Sequence, residues 1–241
     1  MRRSFLTLLS AFLCLALAGF ADSAPDAVLE YVQARSQQEK LPFTVDVTIN
    51  AAIPSLKKVG RLRATRQQAG QGRFNYESMQ FEGDSLVKTK VIARYLRAEL
   101  EAQRPEQKLA TEITPASYQF RLKGRQKMEG RDALVFEVKP YKKGPGLFRG
   151  QIWIDEETRR PLKETGKLTK LPSVWVKEIA FTREYTVAEG LAVPSRITSE
   201  VRTRIVGTAQ ITVDFQNYRF SFPPAAQSSA TLLPEPVAAQ R

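Results

Sequence analysis

Apolar and polar residues alternate through most of this chain, and the alternation sets the elements it predicts. Between residues 118 and 185 the runs YQFRLKGRQKMEGRDALVFEVKP, LFRGQIWIDEETRRPLKETGKL and SVWVKEIAFTREY are rich in β-branched and aromatic residues. Turn-forming words interrupt them at EGRDA, KPYKKGPG and DEET. Half-buried strands joined in sequence by short turns predict one antiparallel sheet. The pattern continues to Phe220, and Pro194 within 191–203 marks an edge or a bulge. Upstream, Phe43, Val45, Val47 and Ile49 alternate with Thr44, Asp46, Thr48 and Asn50, and Pro54 ends that run. Residues 58–66 and 73–81 add two strands around a hairpin-like loop, Gln-Gln-Ala-Gly-Gln-Gly.

Two stretches carry helical spacing instead. One helix, over 25–38, starts at Pro25 or Asp26 and presents Val28, Leu29 and Val32 as an apolar stripe. A second, of about sixteen residues, is capped by Asp84 or Ser85. Leu86, Ile92, Ala93, Leu96 and Leu100 lie near one of its faces, and Arg104-Pro105 ends it. Residues 107–117 read as a loop; with 141–146 they are candidate moving parts. The order is helix, three strands, helix, then about seven strands. Two helices cannot cover both faces of that many strands, and a twisted sheet of this size curls. The expected fold is mainly β (α+β): a half-open antiparallel β-barrel of about ten strands, with two or three helices filling the concave side.

The ends have a different character. Arg2 and Arg3 precede an apolar stretch over 5–20, and the small residues Gly19, Ala21 and Ser23 follow. This is the pattern of a secretory signal peptide over 1–23, cleaved near residues 21–23, and it implies a periplasmic protein. Both the general secretory and the twin-arginine routes fit the residues. The single cysteine, Cys14, lies inside the apolar stretch after Ala-Phe-Leu, a poor lipoprotein-processing word. The exported protein is therefore expected to carry neither a lipid anchor nor a disulfide. Residues 24–222 form one expected domain, and the Pro/Ala-rich 223–241 an expected disordered tail.

Charge and chemistry narrow the function. The chain has 37 basic and 25 acidic residues, a formal net charge of +12. Outside the cytoplasm such a protein meets anionic lipid and acidic envelope polymers, and no nucleic acid is expected as a partner. Arg121, Lys123, Arg125 and Lys127, alternating with Phe120 and Leu122, read as the solvated outer face of a strand. The alternative is an envelope adaptor that docks on anionic lipid or polymer through such a face. The chain contains no histidine and only that one cysteine. Ser-His-Asp and Cys-His catalysis and Cys/His zinc sites are excluded. Asp155, Glu156 and Glu157 cluster in a hairpin turn, where turn chemistry accounts for them. A carboxylate-only hydrolase is the remaining enzymatic reading. No catalytic residue, metal or cofactor is expected.

The positive signal is apolar. Trp153 lies on one strand; Trp175, Ile179, Phe181 and Tyr185 share a face of another, together with Lys177 and Arg183. Phe43, Val45, Val47, Phe74, Tyr76, Phe120 and Phe136 complete the candidate set. Two readings stand for these residues. They pack beneath the helices, which periodicity alone favours, or they line a cavity for acyl chains.

Three segments carry a family resemblance: GRDALVFEVKP at 130–140, GQIWID at 150–155 and VWVKEIAF at 174–181. They resemble the LolA-like superfamily, which includes periplasmic lipoprotein-sorting proteins and the lipid-sensing domain of RseB-type regulators. The resemblance covers about residues 25–220. It implies a half-open barrel with helices as a lid and acyl chains held in the hollow. It also implies lipid or lipoprotein acyl chains as partners, an inner- or outer-membrane protein as a further one, and a monomer. No lipoprotein carrier's functional arginine carries over, and the chain has no room for the second domain of an RseB-type regulator.

Overall fold

The structure, a computed structural model, describes residues 23–70 and 73–221. The expected signal peptide, apart from Ser23, and the expected tail at 223–241 lie outside the described residues. The chain opens with helix α1 (Ser23–Lys40) and strands β1 (Pro42–Ile53), β2 (Lys58–Ala69) and β3 (Phe74–Gly83). A helical passage follows: α2 (Ser85–Val87), a π-helical turn (Lys88–Ile92), α3 (Ala93–Ala102) and α4 (Pro105–Thr111). Seven strands complete it: β4 (Tyr118–Met128), β5 (Arg131–Pro140), β6 (Phe148–Asp155), β7 (Pro161–Leu168), β8 (Val176–Ala188), β9 (Leu191–Thr203) and β10 (Thr208–Phe220).

All ten strands form one antiparallel sheet in the order β3-β2-β1-β10-β9-β8-β7-β6-β5-β4. The first three strands run out to one edge. The helical passage then carries the chain to the other edge, from which β4–β10 return until β10 pairs with β1. The sheet stays open between β3 and β4, as a half-open barrel requires.

Alternation decides which residues turn toward the helices. In β1 every second residue is buried, from Phe43 to Ile53. These residues join Leu62 and Ala64 of β2 and Ile211, Val213 and Phe215 of β10 in one core, closed by Val87, Val91 and Ile92. A second core gathers Ala27, Val28 and Tyr31 of α1 over Leu134, Phe136 and Val138 of β5 and Ile152 and Ile154 of β6. Each β-branched or aliphatic side chain so buried contributes about 1.5–3 kcal/mol.

Both helices depart from the expected stripes. In α1, Leu29 is exposed; the covered side runs Ala27, Val28, Tyr31 and Val32 and ends at Arg35. In the second helix, Ala93 and Leu100 are exposed. The π-helical turn inserts one residue and rotates everything after it by about 100°. The covered side therefore runs Val87, Val91, Ile92, Tyr95, Leu96 and Glu99. Asp84 caps this helix, its Oδ1 accepting from the amides of Leu86 at 2.8 Å and Val87 at 3.4 Å. Gly83 must be glycine there: φ is +87°, and a Cβ would sit 2.6 Å from the Val59 carbonyl.

Two more expectations are corrected. Pro105 ends one helix and also starts another, α4, so only 112–117 of the expected loop is irregular. On β4 the four basic residues do not share a face. A register shift between Leu122 and Gly124 reverses the alternation. Arg121 pairs across from Glu137, while Arg125 comes opposite Leu134, on the other face.

Candidate functional site

The two cores do not meet as one apolar hollow. Between them, on the helix-covered face, lies a seam of charge. Glu164 of β7 is completely buried and accepts hydrogen bonds from four sides. The hydroxyls of Tyr31 and Tyr185 both donate to its Oε1 at 2.7 Å. Arg183 Nη1 donates to Oε2 at 2.9 Å, and Arg35 Nη1 donates to Oε1. Arg35 Nη1 also reaches the oxygens of Tyr31 at 3.1 Å and Tyr185 at 3.3 Å.

Burial works against a charged Glu164. The guanidinium groups of Arg35 and Arg183 and the two tyrosine hydroxyls outweigh it, and its pKa falls to about 2. Burial, with Glu164 adding to it, pushes Tyr185 up to about 12 and also raises Tyr31. Glu164 therefore ties α1, β7 and β8 together as one hydrogen-bonded unit. A buried charge is tolerable here because its oxygens are paired and bonded.

A second carboxylate stands across the seam. Glu99 of α3 accepts from Tyr95 at 2.9 Å and from Tyr76 of β3. Arg66 of β2 lies 3.9 Å from it, with its guanidinium 3.5 Å from the centre of the Phe74 ring. Burial, with Glu99 next, raises the pKa of both tyrosines. The Arg66 Nε is buried and has no hydrogen-bond partner among the described residues. An unsatisfied buried donor costs about 1–3 kcal/mol.

Between these networks lies a cavity of about 200 Å³. Its polar wall is Arg35, Arg66, Gln68, Glu99, Arg183 and Tyr185. Its apolar wall is Phe43, Val45, Pro194, Ile197, Phe215 and Tyr218. The Tyr218 hydroxyl is anchored on the Pro194 carbonyl at 2.7 Å, and the Phe43 ring centre is 5.4 Å from those of both Tyr218 and Phe220.

Of the residues expected to line a hollow, Phe43, Val45 and Tyr185 reach this cavity. Val47 is in the core beside it, and Tyr76 packs against the same core while binding Glu99. Phe74 packs edge-to-face with Tyr76 at 5.7 Å and lies under the Arg66 guanidinium. Phe120, Phe136 and Phe181 belong to the core beneath α1, where Phe148 packs edge-on against Phe181 at 4.9 Å. That approach uses Gly166, where a Cβ would lie 2.3 Å from the Phe148 ring. Ile179 is half-buried opposite Val201.

Two tryptophans lie elsewhere. Trp153 falls on the opposite face of the sheet, because Ile152 and Ile154 on either side of it turn inward. It packs with Ala133 and Val135, and its Nε1 donates to Gln126 Oε1 at 2.9 Å. Trp175 precedes β8 and is 58% exposed. The register shift between Val176 and Glu178 breaks the alternation that placed it beside Ile179. Val174 and Ile205 are exposed with it, and Arg204 holds the two turns together through the Trp175 and Val174 carbonyls.

The sequence reading missed Tyr31, Arg35, Arg66, Glu99 and Glu164. One signal was present: Arg183 falls on the inward face between Phe181 and Tyr185. An inward arginine requires a buried counter-charge, and β7 supplies one in Glu164. Turn chemistry accounts for the acidic turn as expected, since Asp155 Oδ1 accepts from the amides of Glu157 at 3.1 Å and Thr158 at 2.8 Å. Among the described residues no group of His, Cys, Asp and Glu is arranged to hold a metal ion.

No family model and no curated protein matches this chain. Solved structures of similar topology do exist. A LolA superfamily protein of Nitrosomonas europaea is 15% identical with a TM-score of 0.41, over 83% of this chain and 94% of its own. A DUF1329 family protein of Desulfovibrio piger is 10% identical with a TM-score of 0.44, over 81% and 92%. The Pseudomonas aeruginosa MucA/MucB complex contains a chain 14% identical with a TM-score of 0.28, over 84% and 100%. The LolA superfamily, which the strand sequences resemble, is thus represented among the solved structures similar to this chain.

Proposed function

We propose that this chain is an exported, non-enzymatic envelope protein that carries or senses an acyl chain of a lipid or lipoprotein on the helix-covered face of its half-barrel. One observation carries the reading: helices lie across the inner face of an open sheet and leave a cavity with an aromatic and aliphatic wall. Apolar burial supplies the binding, at about 0.8 kcal/mol per buried methylene. The cavity is far smaller than a long acyl chain, so α1 or the helical passage lifts to admit one. Native mass spectrometry of protein purified gently from the periplasm, followed by solvent extraction, tests this. A bound mass that extracts as a lipid or acylated peptide supports it. An apo mass with no uptake of added phospholipid or lipopeptide overturns it.

A second reading, docking on an anionic membrane, is favoured by the exposed Val174, Trp175 and Ile205, which stand among Lys170, Lys177, Arg202 and Arg204. Tryptophan and basic residues together suit a lipid headgroup boundary. With Trp153→Phe removing the other indole, a blue shift of Trp175 emission on phosphatidylglycerol vesicles that salt abolishes supports docking. Unshifted emission ends it.

A further inference from the structure

We propose that the cavity between the two carboxylate networks is a headgroup site for a monoanionic acyl amphiphile, with Arg35, Arg66 and Arg183 as its cationic wall. The inference rests on the acyl-binding reading above and names the class of ligand that reading leaves open. Three features define the chemistry.

The first is charge. Arg35, Arg66 and Arg183 converge on the cavity wall, against the carboxylates Glu99 and Glu164. Three guanidinium groups against two carboxylates leave one positive charge uncompensated, which matches one anionic oxygen pair. The second is unspent donor capacity. Arg35 makes its bonds to the Glu164 network through Nη1, and Arg183 reaches Glu164 through Nη1. A guanidinium has five N–H donors. Arg66 bonds Tyr76, and its Nη1 stands 3.9 Å from Glu99, beyond hydrogen-bond reach. Glu99 is already held by two tyrosine hydroxyls. The Arg66 side chain lines the cavity and stays 16% exposed, so a ligand oxygen meets its accessible guanidinium edge there.

The third feature is shape. About 200 Å³ lies on the scale of cavities that admit a benzene-sized molecule, enough for a headgroup and its first methylenes. The wall facing the arginines is apolar: Phe43, Ile197, Phe215 and Tyr218. A carboxylate against the guanidinium groups places its alkyl chain on that side, and planar bidentate pairing suits arginine. A purely hydrophobic hollow has no use for three arginines; a purely anionic ligand has no use for the aromatic wall.

The test is calorimetric titration of the exported protein at neutral pH with decanoate, decanol and decyl methyl phosphate. All three carry the same tail. Decanoate is expected to bind at least about tenfold more tightly than decanol, as a charge-assisted pair gives. Arg66→Met, checked for native circular dichroism, is expected to erase that ratio. A phosphodiester that binds more tightly than decanoate supports the site with a phospholipid headgroup as its source. A weaker phosphodiester supports it with a free fatty acid. Equal affinities for decanoate and decanol in the unaltered protein overturn the headgroup site and leave acyl binding intact. A ratio that survives Arg66→Met overturns the role of Arg66. Failure of all three ligands to bind overturns the site and the acyl-binding reading together.

Discussion

The two ends of the helix-covered face are held by different physics. On the β4–β8 side, α1 rests on an apolar core but is also tied through Tyr31 and Arg35 to the buried Glu164. On the β1–β3 side, the helical passage is held chiefly by Val87, Val91 and Ile92 packed into the sheet, with Gly60 admitting Val87 to 3.0 Å of a Cβ position. The helical passage has a directional contact too, Tyr76 donating to Glu99, but only Glu164 of the two carboxylates is completely buried. Removing one partner of a buried ion network leaves uncompensated charge, whereas trimming an aliphatic side chain leaves a void. The α1 side is therefore the end whose hold weakens as Glu164 is protonated.

Glu164 is where the two sides part most sharply. Glu164→Ala strands Arg35 and Arg183 without their anion and is expected to cost about 3–5 kcal/mol in chemical denaturation. Hydrogen exchange should rise first in α1 and β7, with the π-helical turn still protected; a uniform rise across both helices would erase the distinction. Ile92→Ala is the mirror experiment. It should cost about 3 kcal/mol and deprotect the helical passage while α1 keeps its protection.

Acid separates the two sides without a substitution. Glu164 titrates at about 2 in the folded protein against an ordinary value of 4.5. Its contribution is fully present above pH 4.5 and is lost as pH falls from there toward 2, about 3 kcal/mol in all. Protection of α1 should follow that window, and Glu164→Gln should flatten the dependence. An α1 whose exchange ignores pH between 5 and 2 contradicts the assignment. The smallest effect expected is at the helix cap: Asp84→Ala should lower stability by about 1 kcal/mol, read by thermal denaturation, and leave α1 untouched.

Much of this architecture was legible from local signals. Pro54 does end β1, Glu129-Gly130 does turn β4 into β5, and Pro194 does sit at a register irregularity, between the Glu184–Arg196 and Tyr185–Pro194 pairs. The inward alternation of Phe43, Val45 and Val47 was readable because strand period is a local property. Trp153 and Trp175 were misplaced for the complementary reason. Trp153 joined the candidates as an aromatic on a strand with no alternation read around it, and Trp175 by an alternation that a bulge interrupts.

By itself, the sequence determined through local signals the ten strands in order, α1 and the start of the second helix, because turn residues and short periodicities act over short distances, while α4 was hidden within an expected loop. It could not determine that Glu164 meets Arg35 and Tyr31, more than 125 residues away in the chain. Nor could it reveal that a one-residue π insertion turns Glu99 rather than Leu100 toward the sheet. Those outcomes depend on strand register and helix phase, which settle only when the whole sheet is assembled. The tertiary structure turned an expected greasy hollow into two apolar cores with a charged cavity between them, because each buried charge had to find its partner across the fold.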